Sequence, residues 1–128
     1  MPTTPTPISL DRPARGGERL YYPQVFGTVN DHVVYAENLQ GDFIWHQHER
    51  EQLYVCVAGE VVVEFRDATH TLRPLQALII PAGVEHRPLC PNGARVIIVE
   101  PKTMFDAEQS SSMYDAYDKA QPQPGKST

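Results

Sequence analysis

The chain has 128 residues, enough for one compact domain with a core and too few for two ordinary ones. Its apolar share of 41% is slightly low for a globular protein, and twelve prolines with two polar end segments account for much of the deficit. A formal net charge of -5, with no basic block to neutralise phosphates, argues against sequence-independent nucleic-acid binding.

Residues 1–17 place Pro2, Pro5, Pro7 and Pro13 among threonines ahead of Gly16-Gly17. Such a segment has too little apolar surface to offset its ordering entropy, and a flexible N-terminal tail is expected. It has neither the basic nor the apolar region of a signal peptide, and no apolar run is long enough for a bilayer. The expectation is a cytoplasmic protein with no membrane or nucleic-acid partner.

Residues 18–102 are a succession of short apolar or alternating runs broken by turn residues. They predict strands near 20–26, 32–37, 41–48, 52–58, 60–66, 69–72, 77–80, 85–89 and 94–100. Gly59-Glu60 and Asp67-Ala68 read as hairpin turns, and Pro91-Asn92-Gly93 as a turn because Asn-Gly tolerates positive φ. Val61-Val62-Val63, Leu78-Ile79-Ile80 and Val96-Ile97-Ile98-Val99 are β-branched and too short for free-standing helices. Many short strands with no long helical pattern predict an all-β sandwich or closed barrel. Residues 103–128 read as a polar C-terminal tail in which Met113–Tyr117 could form one helical turn. Cys56 and Cys90 form no C-x-x-C pair and are too few for a disulfide framework, so reduced, buried thiols are expected.

Chemistry concentrates in Phe43-Ile44-Trp45-His46-Gln47-His48-Glu49-Arg50-Glu51-Gln52. On a strand, alternation puts His46 and His48 on one face, within reach of a single metal ion, and Trp45 and Phe43 on the other. Pro81-Ala82-Gly83-Val84-Glu85-His86 adds a turn that starts a new strand and carries a third imidazole. Three neutral nitrogen donors form a borderline-soft site suited to zinc, iron, manganese, nickel or copper.

The order Gly41, His46, His48, Gln52, Gly59, then Pro81, Gly83, His86 resembles the two motifs of the cupin superfamily, over roughly Gly41 to Pro101. The phrases WHQH, VAGEVVVEFRD and LIIPAGVEHRP resemble small single-domain cupins grouped with mannose-6-phosphate isomerase-like proteins. The resemblance implies a cupin-type double-stranded β-helix, or jelly-roll barrel, with one divalent transition metal ion (Zn, Mn, Fe or Ni) at its wider end. It also implies a homodimer as the common assembly. Members of that superfamily include isomerases, epimerases, dioxygenases, decarboxylases, lyases, cyclases and sugar-binding proteins, so fold does not settle function. Two positions depart from the pattern. Gln52 stands where the family usually has a ligating glutamate, and Leu75 where it commonly has a turn glycine.

The metal set expected is therefore His46, His48, His86 and Gln52. Glu51 is the alternative fourth ligand, should the strand start one residue out of register. Alternation from Gln52 puts Tyr54 and Cys56 on the same face, Tyr54 being the candidate catalytic proton donor and Cys56 a packing residue. His32 and His70 lack ligand spacing and read as surface residues, while Glu100 and Arg95 either line the barrel mouth or sit solvated at its rim. The leading expectation is a small-molecule metalloenzyme of isomerase, lyase or cyclase type acting on a carbonyl or hydroxy compound. The alternatives are a non-catalytic sugar or small-molecule sensor and an iron-dependent dioxygenase.

Overall fold

The computed structural model describes residues 4–11 and 20–109. Seven strands and one helix follow in order: β1 (Gln24–Val29), β2 (His32–Asp42), β3 (Gln52–Gly59), β4 (Val61–Phe65), β5 (Thr69–Leu72), β6 (Ala77–Ile80), β7 (His86–Pro101) and α1 (Lys102–Gln109). All pairings are antiparallel, in the order β1-β2-β7-β3-β6, with β4 between β5 and β7. The all-β expectation holds, as a jelly-roll barrel organised around β7. Met113–Tyr117 lies outside the described residues.

The long strand β7 explains the closure. One of its edges carries β2; the other carries β3 along residues 94–99 and β4 along residues 86–89. Its second half is covered from both sides, and Val96, Ile97 and Ile98 are all buried there. Each such side chain contributes about 1.5–3 kcal/mol relative to exposure. β3 instead alternates, with Gln52, Tyr54 and Cys56 buried and the residues between them half-buried.

Two expected turns prove to be something else. Gly59-Glu60 does not close a hairpin, because β3 and β4 pair with successive stretches of β7 rather than with each other. Gly59, at φ 73°, is the corner; a Cβ there would lie 2.3 Å from the Gly93 carbonyl oxygen. Opposite it, Pro91-Asn92-Gly93 interrupts the ladder without ending the strand. Leu39 pairs with Ala94 and Gly41 with Cys90, so β7 carries two more residues than β2 across this step and bulges outward. The strands predicted at 85–89 and 94–100 are thus one bent strand. Asp67-Ala68 does close the β4–β5 hairpin, with Phe65 N–H donating to Ala68 O at 2.7 Å.

The strand expected over 41–48 is only partly present. β2 runs on to Asp42, and residues 43–51 form a loop whose one ladder contact pairs His46 with His86. Strict alternation fails there, and Phe43 turns inward, buried and stacked on Tyr21 at 4.6 Å between centroids. Trp45 does face outward, beneath the Arg66 guanidinium at 3.7 Å.

The polar segment after Pro101 begins with α1, which buries Met104 and Phe105 against the barrel. Phe105 packs on Tyr35 with centroids 4.9 Å apart. Lys102 N–H donates to Asp31 O at 2.9 Å, tying the start of the helix to the β1–β2 turn. Arg95 is buried as well. Its guanidinium donates to Leu10 O at 2.7 Å and to the side chains of Gln24 and Asn38 at 3.0 Å.

Candidate metal centre

The loop 43–51 meets the start of β7 through a reciprocal pair: His46 N–H donates to His86 O at 3.0 Å and His86 N–H to His46 O at 2.9 Å. Gly83 N–H donates to His48 O at 2.8 Å, joining the Pro81–Gly83 turn to the same loop. These bonds bring three imidazoles from two distant segments into one cluster. Ring centroids lie 4.4 Å apart for His46 and His86, 4.8 Å for His46 and His48, and 5.2 Å for His48 and His86. One nitrogen from each ring lies within 4.8 Å of the others.

The tautomers are set by the outer nitrogens. Nδ1 of His46 donates to Ile44 O at 2.8 Å and Nδ1 of His86 to Val84 O at 2.9 Å; Nδ1 of His48 donates to the Glu108 carboxylate on α1. With Nδ1 protonated, each Nε2 keeps its lone pair. Nε2 of His48 and of His86 is buried without a hydrogen-bond partner, and so is Oε1 of Gln52. Unsatisfied buried acceptors are costly, and a cation offers what they lack.

All three rings are held neutral. Burial first, then the neighbouring His86, lowers His46 from 6.5 to about 3. Burial, with His48 adding to it, lowers His86 from 6.5 to about 4, and burial lowers His48 in the same direction.

Gln52 is 3% exposed and lines the same cavity as His46 and His48, whereas Glu51 is exposed and accepts from Ala82 N–H at 3.4 Å. Tyr54 is buried and lines the same cavity, together with Tyr21, Tyr35, Glu37, Phe43 and Glu108. Cys56 is buried below Tyr54, and His32 and His70 are exposed.

Glu108 lines the cavity, and Glu100 reaches it only through the lining residues Tyr35 and Gln52. Glu100 is fully buried; it accepts from Tyr35 Oη–H, and from Gln52 Nε2–H at 2.9 Å. Burial, then the adjacent Glu108 carboxylate, pushes Glu100 from 4.5 up to about 7. Burial also raises Glu108. The inward parity of Val96 and Ile98 could have placed Glu100. The i, i+1, i+4 spacing of Met104, Phe105 and Glu108 could have placed Glu108, had the segment been taken as a helix.

Comparison with known proteins agrees with this architecture. The cupin domain family matches residues 35–100, more than half of the chain. The chain belongs to the cupin family. It is 36% identical over 61 residues to protein YdbB of Bacillus subtilis (strain 168), spanning 46% of this chain and 54% of that one. The chain thus covers only about half the length of that curated relative. Among solved structures, it is similar to a cupin-2 domain protein of Shewanella frigidimarina NCIMB 400. That likeness has 29% identity and a TM-score of 0.64, covering 66% of this chain and 83% of that one. It also resembles protein NMB1881 of Neisseria meningitidis, with 24% identity and a TM-score of 0.67, covering 75% of this cupin and 99% of that chain. No helix among the described residues is long and apolar enough to cross a membrane.

Proposed function

We propose that this cupin is a metal-dependent enzyme acting on a small carbonyl or hydroxy compound, with one divalent transition metal ion held by His46, His48, His86 and Gln52. The observation that carries the reading is the set of three buried acceptors, Nε2 of His48, Nε2 of His86 and Oε1 of Gln52, left without partners beside the third imidazole. Imidazole nitrogens and an amide oxygen suit zinc, manganese, iron or nickel. All four donors are neutral, so a bound dication keeps its charge and supplies Lewis acidity to a substrate oxygen.

The chain's own groups provide the rest. The Nδ1–H bonds lock each imidazole with Nε2 free, and the barrel keeps bulk water from the cluster. Among the described residues lining the cavity, none is Lys or Arg, while Glu37 and Glu108 are acidic. That balance disfavours phosphorylated substrates and favours neutral, oxygen-rich ones. Tyr54 is the proposed proton donor at the cavity wall. Glu100, pushed up to about 7 by burial and by Glu108, is a second group beside Gln52 that can keep or release a proton.

Elemental analysis of protein expressed without added metal tests the site. Close to one transition metal per chain is expected, and His46→Ala, His48→Ala or His86→Ala should each strip most of it. Gln52→Ala should weaken retention more than Glu51→Ala. Metal surviving near stoichiometry in the histidine variants would end the proposal. Assays on keto sugars and hydroxy ketones in air and under anaerobiosis then separate the chemistry. Turnover only with ferrous protein in air would instead assign a dioxygenase, and saturable binding without turnover a sensor.

A further inference from the structure

We propose that Glu108 is the positioning residue for His48, so that the metal centre is completed by a helix lying outside the matched cupin domain. The inference rests on the metal site proposed above. The three imidazoles are held asymmetrically. His46 and His86 each donate Nδ1–H to the main-chain carbonyl two residues earlier, Ile44 O and Val84 O. Those bonds are local, and the loop and the strand start supply them unaided. For His48 the equivalent carbonyl is that of His46, which already accepts the His86 N–H at 2.9 Å. The acceptor for His48 is a side chain sixty residues away, the Glu108 carboxylate.

The setting makes this contact consequential. The His48 side chain is 4% exposed and that of Glu108 16%. A pair this dry is weakly screened, and the loss of Glu108 leaves the buried His48 Nδ1–H without its acceptor. The backbone of His48 is fixed by Gly83, but that bond does not set the ring's rotation. The carboxylate does, and a carboxylate acceptor also makes the opposite nitrogen more basic than a carbonyl would. The arm that carries it is anchored at three places: Lys102 on Asp31, Phe105 on Tyr35, and the buried Met104. Met104, Phe105 and Glu108 share one face of α1, so the packing that docks the helix also delivers the carboxylate. The position of α1 is thereby coupled to metal affinity.

The test uses full-length protein, EDTA-treated and titrated with Co2+, whose visible spectrum reports ligand geometry. Wild type should bind one Co2+. Glu108→Ala should weaken binding about 10–100-fold and alter the spectrum. Glu108→Gln keeps an acceptor oxygen and should fall between the two. Nitrogen-15 spectra of the metal-free protein should show His48 as the Nδ1-protonated tautomer in wild type and a mixed population in Glu108→Ala, a change that loss of packing alone would not produce. Should Glu108→Ala fold poorly, the wild-type tautomer and the Glu108→Gln affinity decide the matter. Binding within twofold of wild type in Glu108→Gln and Glu108→Ala, or His48 in the other tautomer, overturns the inference. If His86→Ala still loses Co2+ in that case, the metal site stands without it; if wild type binds no Co2+, both fall.

Discussion

Gln52→Glu is the substitution on which this structure and the bare cupin pattern disagree. The pattern alone makes it a gain, since a carboxylate attracts a dication more strongly than an amide does. The structure adds a cost, because Gln52 uses both ends of its amide. Its Oε1 is the candidate ligand, while Nε2–H donates to buried Glu100 at 2.9 Å. Glutamate cannot donate when ionised, so the variant loses a hydrogen bond to a charged group, about 1.5–3 kcal/mol, and sets two carboxylates in contact. At an effective dielectric of about 20, like charges some 4 Å apart repel by about 4 kcal/mol, and proton uptake caps that penalty. We expect the metal-free variant to be less stable by about 2–4 kcal/mol at pH 8, a fall of about 10–20 °C in Tm for a domain of this size. The sign with pH follows from Glu100, whose folded pKa is raised from 4.5 to about 7. A raised acid costs nothing below its unfolded value; its cost grows as pH rises from there to the folded one and then levels off. The loss should therefore shrink to about 1 kcal/mol near pH 5. Melting curves with EDTA at pH 5 and pH 8, then with saturating Zn2+, measure it; the variant should regain more from Zn2+ than wild type does. A metal-free variant that melts within about 2 °C of wild type at pH 8 would refute the claim that Gln52 links the ligand set to Glu100.

Three further outcomes follow from other parts of the barrel. His46 and His86 have folded pKa values of about 3 and 4 against 6.5, so their contribution is intact above pH 6.5 and lost as pH falls towards 3. The metal-free protein should lose stability steeply in acid, and a His46→Gln/His86→Gln variant should lose most of that slope in melts from pH 7 to 3.5. Leu75 sits at φ 75° and is 91% exposed, so Leu75→Gly removes left-handed strain of about 1–2 kcal/mol without uncovering buried surface. After the entropy glycine adds to the unfolded chain, urea titration should show a gain of about 0.5–1 kcal/mol, while Leu75→Ala should be near neutral. Burial pushes the Cys90 thiol up to about 11 and raises that of Cys56, so neither should react with a disulfide reagent at pH 8 until the chain is unfolded.

Much of the site was legible because its signals are local. His46 and His48 lie two residues apart, His86 follows a Pro-Ala-Gly turn, and Gln52, Tyr54 and Cys56 alternate along an ordinary strand, so composition and parity placed them. Local signals misled where the backbone is irregular. Parity assigned Phe43 to the outside, and the irregular loop 43–51 turned it inward, 5.3 Å from His46. Pro91-Asn92-Gly93 was read as a turn between two strands, yet β7 runs through it as a bulge against β2.

What the sequence determined by itself was the all-β class, the position of most strand segments and the identity of the three imidazoles. Each depends on residues close together in the chain, through alternation, β-branching and turn chemistry. Only the tertiary structure decided the rest. It makes β3 and β4 successive partners of one strand rather than a hairpin, since pairing is settled by which edge is free and not by which residue comes next. It also buries Glu100 against Gln52 and folds a polar-looking segment into a helix that delivers Glu108 to His48. No local pattern carries those contacts: a carboxylate reads as a surface residue until the fold closes around it and supplies the partners that make its burial tolerable.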